Sequence, residues 1–216
     1  MKKIKNPMIR RIPKELIGDW KKYLVVFLFL VLTIGFVSGM YVANESMITS
    51  ANEGVTKYKQ EDGHFELKKQ ADVTLLSAIE TGEKADFKAT KTTLYENFFQ
   101  NEEEDYNNDG KKDGTIRVFA KTKNINLACM LQGSFPQKAD EIAIDRMHAD
   151  NVGIKVGDTV TVSGETYKVV GLLAYVNYST LHEKTTDLMF DALKFDVAMV
   201  TQDGFDRLHK SIHYTY

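Results

Sequence analysis

The stretch Tyr23–Ala43, YLVVFLFLVLTIGFVSGMYVA, decides the fold of the first part of this chain, because its twenty-one residues include no charged side chain. About 20 apolar residues, at a rise of about 1.5 Å each, cross the ~30 Å hydrocarbon layer of a bilayer. The run therefore predicts one transmembrane helix over residues 23–43.

Charged residues on the two sides of this run predict its orientation. Only two acidic side chains precede it, Glu15 and Asp19, and the first basic residue after it is Lys57. Eight basic residues precede it: Lys2, Lys3, Lys5, Arg10, Arg11, Lys14, Lys21 and Lys22. Positive charge collects on the cytoplasmic side of membrane helices. We therefore expect a cell-membrane protein with a cytoplasmic N-terminus and an extracytoplasmic part after residue 43.

A cleaved signal peptide is the main rival interpretation of the same run. Such a peptide has an apolar region of about 7–15 residues that ends in a small-x-small cleavage site. Here the run is longer, and the best candidate, Tyr41–Ala43, places a bulky Tyr where a small residue is needed. Arg10–Arg11 resembles the start of a twin-arginine signal, but Pro13, Glu15 and Asp19 separate the pair from the apolar core, which argues against such a signal. The sequence favours a retained anchor.

The charges of the chain divide into a basic arm and an acidic remainder. Residues 1–22 carry a net charge of +6, and residues 23–216 carry a net charge of −8. A basic arm suits an anionic inner leaflet, whereas an acidic domain argues against nucleic acid as a partner. The single cysteine, Cys129, excludes an intrachain disulfide.

Four segments follow from these patterns: a basic cytoplasmic arm (1–22), the membrane helix (23–43), a polar helical stalk (44–62) and an extracytoplasmic domain (63–216). Apolar residues at helical spacing in the arm, with Pro13 as a bend, are typical of an ordinary basic tail or of an elbow helix that contacts a cytoplasmic partner.

Inside the membrane helix, Gly35 and Gly39 form a Gly-x-x-x-Gly step, which predicts a helix-packing face toward another membrane helix.

The domain after the stalk predicts an α+β fold, because strand-like stretches mix with short helices without a regular βαβ rhythm. Asp145 is a suitable N-cap for a helix over 146–151, with Gly153 as its stop. A tight turn at Gly164–Glu165 predicts a hairpin. Residues 64–73 form an alternating stretch, 77–88 fit a short helix and loop, and a helix is predicted over 202–210. Strands are predicted over 92–99, 115–120, 141–144, 159–163, 166–174 and 195–201.

The polar connection predicted over 101–114 contains a possible calcium loop. Oxygen donors stand at positions 1, 3, 5 and 9 of the pattern, at Asp105, Asn107, Asp109 and Asp113, with Gly110 at position 6. Position 12, where a bidentate Glu is expected, is occupied by Ile116. Weak calcium binding and a solvated turn between two strands both remain open. No other cofactor is expected.

Motifs for catalysis do not occur in the sequence. His182-Glu183 begins like His-Glu-x-x-His, but Thr186 stands at the second His position. His209 and His213 are four residues apart, and we expect surface histidines near the C-terminus. The acidic run 102–105 is most simply a solvated loop, and we do not expect an enzyme.

Several motifs in order resemble an FtsX-like permease of ATP-binding-cassette (ABC) transporters, with a MacB-like periplasmic core domain. They are RRIPKEL (10–16) before the apolar run, IGFVSGM (34–40) inside it, PQKADEIAID (136–145) and GIKVGDTVTVSGETYKVVG (153–171). The resemblance implies a dimerising membrane subunit that is driven by a cytoplasmic ATPase and transmits force across the membrane. Permeases of this family carry three further spans, so we expect this chain, which ends at Tyr216, to be either a fragment or a truncated gene product that could not transport alone.

The function expected from the resemblance is that of a membrane-anchored permease segment. Its extracytoplasmic domain would couple ATPase-driven motion to the handling of a substrate or partner, with the ATPase subunit and further permease helices as partners. The alternative is a stand-alone, signal-anchored binding or sensor module, in which calcium is the candidate ligand.

Overall fold

The computed structural model describes residues 7–81, 93–184 and 186–216. The chain divides into two units, Met1–Glu53 and Gly54–Tyr216. The α+β fold class predicted from the sequence is confirmed, since long and short helices accompany one mixed sheet.

Two helices begin the described chain. Helix α1 spans Pro7–Gly18 with Pro13 inside it, and helix α2 spans Trp20–Lys57. Among the described residues, α2 is the helix that is long and apolar enough to cross a membrane, and none of its most apolar window is buried. Its large side chains are exposed along its length, as with Leu32 (71%) and Phe36 (71%). Water disfavours so much exposed apolar surface, whereas lipid accommodates it.

The described residues of the second unit contain nine strands and three helices beyond the end of α2. The helices are α3 (Val73–Thr81), α4 (Arg146–Val152) and α5 (Gln202–Phe205), and a 3₁₀ turn spans Val176–Tyr178. The strands are β1 (Glu66–Leu67), β2 (Asn97–Asp105), β3 (Gly114–Ala120), β4 (Ala128–Gly133), β5 (Glu141–Asp145), β6 (Thr159–Val162), β7 (Glu165–Tyr175), β8 (Phe195–Val200) and β9 (His213–Thr215).

The strand pairings close a ring of six strands. The sheet order is β1-β9-β2-β3-β8-β5-β7-β4, and β6 pairs with both β2 and β7. Consecutive neighbours around the ring are therefore β2, β3, β8, β5, β7 and β6, of which β3–β8 and β5–β7 are parallel and the others antiparallel. A closed ring leaves few strand edges exposed.

Side chains alternate between the inside of this ring and its outer face. On β8, Ala198 and Val200 belong to the same apolar cluster as Ile116, Ile144 and Val160 from other ring strands, which places them inside. The residues between them, such as Val197 and Met199, join a second cluster with Phe119, Leu173 and Tyr175. Residues two apart on a strand share a face. Asp196 is therefore on the inner face with Ala198.

Several sequence predictions need correction. The acidic run 102–105 is not a solvated loop, because it belongs to β2 and Glu102 and Glu104 are buried. The alternating stretch 64–73 contains the short strand β1. Helix α3 begins at Val73 rather than at residue 77, and the part of the predicted helix and loop after Thr81 lies outside the described residues. Helix α5 ends at Phe205 rather than at residue 210 and is capped by Thr201. The hairpin turn lies one residue earlier, at Ser163–Gly164, because Val162 pairs with Glu165.

Candidate functional site

Three ionisable side chains meet inside the domain, on β2, α4 and β8. Glu104, His148 and Asp196 are each 0% exposed, and each offers one ligand atom within 4.8 Å of the other two. Charged side chains are almost never fully buried unless they are paired or bind an ion. These residues, named here the buried triad, are the candidate functional site.

Strand register brings the two carboxylates of the triad together. Glu104 lies opposite Gly114 of β3, and Asp196 lies beside Ile116 of the same strand, so both side chains project from the inner face. Gly114 has no side chain between them. A Cβ at this position would stand 2.6 Å from the Lys194 carbonyl oxygen, so only glycine fits here without a shift of the backbone.

Helix α4 positions the imidazole. The Asp145 carboxylate accepts hydrogen bonds from the backbone N–H groups of Met147 (2.7 Å) and His148 (3.4 Å), and Gly153 ends the helix in the left-handed region at φ 84°. Nδ1 of His148 lies 2.8 Å from the Ala192 carbonyl oxygen and donates to it. Because that carbonyl fixes Nδ1 as a donor, Nε2 faces Glu104, at 3.4 Å from Oε1.

The carboxylates of the triad have few hydrogen-bond donors. Oδ1 of Asp196 accepts from the backbone N–H groups of Val197 (2.7 Å) and Asp145 (3.2 Å), whereas Oδ2 is buried without a partner. Neither oxygen of Glu104 completes a hydrogen bond, since the 3.4 Å approach of His148 Nε2 lacks hydrogen-bond geometry. A buried carboxylate without hydrogen-bond partners lowers the stability of the folded state. Glu104 therefore needs an explanation beyond ordinary packing.

Glu102 shows how this strand satisfies a buried carboxylate elsewhere. It lies two residues before Glu104 on the same face and is 1% exposed. Its Oε1 accepts from the backbone N–H of Lys210 at 3.2 Å, and its Oε2 accepts from the hydroxyl of Ser163. Glu102 is therefore a structural acceptor, and of the two buried glutamates of β2 only Glu104 lacks donors.

Electrostatic interactions couple the imidazole of the triad to the two carboxylates. Burial alone would lower the pKa of His148, but the carboxylates of Asp196 and Glu104 outweigh it and raise that pKa to about 9. Burial raises the pKa of Asp196 well above its ordinary value, against the opposing effect of His148. Burial also raises the pKa of Asp145, although two backbone N–H groups oppose the shift.

The predicted calcium loop connects β2 to β3, with Asn107 and Asp109 exposed and Asp105 and Asp113 half-buried. Asp105 accepts from the backbone N–H groups of Asp109 (3.1 Å) and Gly110 (2.8 Å), and Asn107 lies 3.4 Å from Asp113. The carboxylate of Asp105 thus already accepts hydrogen bonds within the loop's own turn, whereas Oδ2 of Asp113 has no hydrogen-bond partner among the described residues. Ile116, at position 12, is fully buried in β3 and supplies no ligand. Calcium binding stays a prediction.

The remaining predicted positions are dispersed. A Cβ at Gly35 or Gly39 would meet no atom within 4 Å in this chain, so both positions are open on α2, and helix packing there stays a prediction. His209 and His213 do not share a helix face, because α5 ends at Phe205 and His213 lies in β9. His213 stacks on Phe99 with a ring separation of 5.0 Å. That the chain is not an enzyme also stays a prediction.

A polar cleft lies on the outer face of the ring, around Arg117 of β3. The guanidinium donates to Asn101 Oδ1 (2.9 Å), to the Tyr178 hydroxyl (2.9 Å) and to the Glu183 carbonyl (3.1 Å). Its Cζ atom is 4.4 Å from the ring centroid of Phe99. All three guanidinium nitrogens donate hydrogen bonds within the domain. Arg117 therefore has a structural role in the cleft and is not a free binding group.

Sequence reasoning missed the buried triad. The available signal was the spacing of two residues between Gln100, Glu102 and Glu104 in β2. Because the inward positions of a strand usually carry apolar residues, acidic residues at these positions hide the strand from pattern analysis. His148 follows the Asp145 cap that the sequence did identify. Asp196 stands at the start of an otherwise apolar strand.

Comparisons with known proteins add one solved structure. No protein-family model matches the chain, and no curated protein matches it. The chain is similar to a crystal structure of the extracellular domain of the noncanonic ABC-type transporter YknZ from Gram-positive bacteria. The identity is 13%, the likeness covers 71% of this chain and 83% of that chain, and the TM-score is 0.35. At this similarity we base no functional argument on it.

Proposed function

We propose that this chain is a membrane-anchored segment of an ABC transporter permease, whose extracytoplasmic domain couples ATPase-driven motion to the handling of a substrate or partner. The single observation that carries the proposal is helix α2, whose apolar window is entirely unburied and follows a strongly basic arm. A helix of this kind is stable in a bilayer and unfavourable in water.

The second unit supports the proposal through the motif that carries the family resemblance. Residues 153–171 form the C-cap of α4, strand β6, the hairpin turn and most of β7, and both strands belong to the ring. Gly171 packs against β4 so closely that a Cβ would stand 2.5 Å from the Ser134 carbonyl oxygen. The resemblance therefore rests on a segment that is central to the domain rather than on a surface turn.

The basic arm is the proposed contact for the cytoplasmic ATPase. In α1, Arg11 pairs with Glu15 at 2.8 Å, and both side chains are largely exposed. Exposed charge on a helix beside a membrane can bind a complementary acidic surface of a partner protein. Gly35 and Gly39 are the proposed contact for a further permease helix.

Cysteine labelling tests the topology. In a Cys129→Ser background, Lys14→Cys and Leu188→Cys place one thiol in α1 and one in a loop where Leu188 is 98% exposed. In intact cells, we expect a membrane-impermeant maleimide to label the Leu188 position and to label the Lys14 position only after lysis. Labelling of both positions in intact cells, or of neither after lysis, would contradict the proposed orientation.

Co-purification tests the partnership. We expect the chain, extracted in detergent, to retain the ATP-binding subunit encoded beside it, and Arg11→Ala with Lys14→Ala to reduce the retained amount severalfold. Lys168→Ala, an exposed cation of the second unit, is the control and leaves retention unchanged. Loss of retention in the control alone, or no retention by the wild type, contradicts the proposal.

A further inference from the structure

The buried triad contains an unusual concentration of unsatisfied polar atoms. Nine buried side-chain nitrogen and oxygen atoms lack a hydrogen-bond partner in the described part of the chain, and four of them belong to the triad. They are both carboxylate oxygens of Glu104, Nε2 of His148 and Oδ2 of Asp196. Each triad residue offers one ligand atom within 4.8 Å of the other two, so a single ligand would contact all three residues.

We propose that Glu104, His148 and Asp196 bind a divalent transition-metal cation, with Zn²⁺ as the preferred ion, inside the six-stranded ring. This site is independent of the proposed transport function and distinct from the calcium loop. Each ligand comes from a different element, β2, α4 and β8, so the ion would tie together two strands of the ring and the helix that packs on it.

The spacing of the ligand atoms fits a small ion. Zinc binds nitrogen and carboxylate oxygen at about 2.0–2.2 Å in tetrahedral sites, which places neighbouring ligand atoms about 3.4 Å apart. Nε2 of His148 and Oε1 of Glu104 are 3.4 Å apart, and no pair of ligand atoms exceeds 4.8 Å. Small rotations of the carboxylates would bring all three onto one ion.

Groups behind the ligands are arranged as they are in metal sites. A metal-binding imidazole usually donates its other ring nitrogen to a backbone carbonyl, and ligating carboxylates are themselves hydrogen-bonded. His148 donates from Nδ1 to the Ala192 carbonyl at 2.8 Å. Asp196 is oriented through Oδ1 by the backbone N–H of Val197 at 2.7 Å, which leaves Oδ2 directed away from that contact. Both ligands are held in orientation by their own backbone contacts.

Charge complementarity favours a divalent cation at this position. Glu104 and Asp196 are the two acidic ligands, and Asp145 is a further acidic side chain nearby. A divalent cation bound by neutral His148 balances the charges of Glu104 and Asp196, and burial of unbalanced charge is strongly unfavourable.

The donor set also selects the kind of metal. Calcium takes six to eight oxygen ligands and magnesium retains several waters, whereas imidazole suits zinc and neighbouring first-row metals. A mixed nitrogen and carboxylate set with all side chains at 0% exposure fits Zn²⁺ best. Because no ligand atom is exposed, we expect the ion to enter as the domain folds and to leave slowly.

Metal content of the full chain tests the proposal. The chain is produced in cells supplied with Zn²⁺, purified in detergent and washed with a chelator, and its metals are measured by plasma mass spectrometry. We expect about one zinc per chain. In cells supplied with Co²⁺, we expect the visible absorption bands of tetrahedral cobalt. Calcium supplied in the same way serves as the comparison, and we expect it not to be retained.

Two glutamates of the same strand give a matched pair of variants. Glu104→Gln removes a ligand, and we expect retained zinc to fall at least about 10-fold. Glu102→Gln changes a carboxylate that is equally buried, lies on the same face and has its own donors, and we expect it to retain zinc as the wild type does. Near-ultraviolet circular dichroism of the tyrosines establishes that each variant is folded.

NMR of the histidine ring nitrogens in the wild type is a second test, which does not depend on the folding of Glu104→Gln. In the wild type, a metal on His148 leaves Nε2 without a hydrogen, whereas an internal ion pair shows a one-bond N–H coupling at Nε2. That coupling, or a folded and chelator-washed wild type without metal, would overturn the proposal. So would equal zinc content in the two glutamate variants.

Discussion

Arg117 is the side chain whose replacement by lysine gives the sharpest test of the domain's packing. It lies in the middle of β3 on the outer face of the ring, is half-buried and retains its positive charge in Arg117→Lys. The guanidinium makes three hydrogen bonds, to Asn101, Tyr178 and Glu183, at 2.9, 2.9 and 3.1 Å. Lysine has a point charge on a flexible stem and cannot reproduce this planar fork.

The expected loss follows from those contacts. Lysine keeps one of the three hydrogen bonds at most, and each lost bond is worth about 1 kcal/mol. The guanidinium also lies over Phe99, 4.4 Å from the ring centroid, a contact that the ammonium of lysine makes less well. The free energy of unfolding should therefore fall by about 2 kcal/mol, which lowers Tm by about 4–8 °C for a domain of this size.

Thermal and urea unfolding of the full chain in detergent measure this loss. The only tryptophan, Trp20, lies in α2, so tyrosine circular dichroism rather than tryptophan fluorescence reports on the second unit. Arg146→Lys is the matched control, because Arg146 makes one exposed ion pair with Asp150 at 3.9 Å. Exposed pairs contribute about 0–1 kcal/mol. If Arg117→Lys changed stability no more than Arg146→Lys, the contacts of Arg117 would not stabilise the fold.

Three further predictions address other parts of the chain. Burial raises the pKa of the Tyr167 phenol to about 12, and its hydroxyl donates to the Gly204 carbonyl at 2.9 Å. A raised tyrosine pKa favours the protonated, folded form, so this contribution to stability is complete below pH about 10 and is lost as the pH rises through about 12. Spectrophotometric titration should show one fewer late-ionising phenol in Tyr167→Phe, and an identical curve would contradict the assignment. Replacing Gly35 and Gly39 together with leucine should leave membrane insertion intact but reduce crosslinked dimers severalfold, because the larger side chains keep another helix at a distance; unchanged crosslinking would remove the packing face. If the loop after β2 binds calcium, calcium on the order of 1 mM should raise the Tm of the wild type but not that of Asp109→Asn, and no rise in the wild type would leave the loop as a plain turn.

Local signals in the sequence account for the parts of the domain that were predicted well. Helix α4 has its cap at Asp145 and its stop at Gly153 as expected, because capping and left-handed glycine are decided within a few residues. The β6–β7 hairpin was displaced by one residue. There, Ser163 adopts φ 48° and Gly164 adopts φ 89°, so the two residues with positive φ form the turn together.

Long-range pairing accounts for what the sequence did not predict. Strand β9 has three residues and exists because it lies between β1 and β2, which are distant in the chain. Backbone hydrogen bonds between Phe65 and Tyr216, at 3.0 and 3.1 Å, fix the end of this pairing. Short edge elements of this kind have too few residues for a periodic pattern, so only the assembled sheet defines them.

Strand β2 shows a deeper limit of pattern reasoning. Its inward positions hold Gln100, Glu102 and Glu104, where a half-buried strand ordinarily carries apolar residues. Glutamate so placed is tolerated only where donors or an ion compensate it, and Glu102 has its donors from Ser163 and Lys210. Glu104 lies two residues further on without them. Natural proteins depart from the pattern that specifies their fold mainly where function requires it. The residue that concealed the strand from sequence analysis is therefore the one at which an ion is expected.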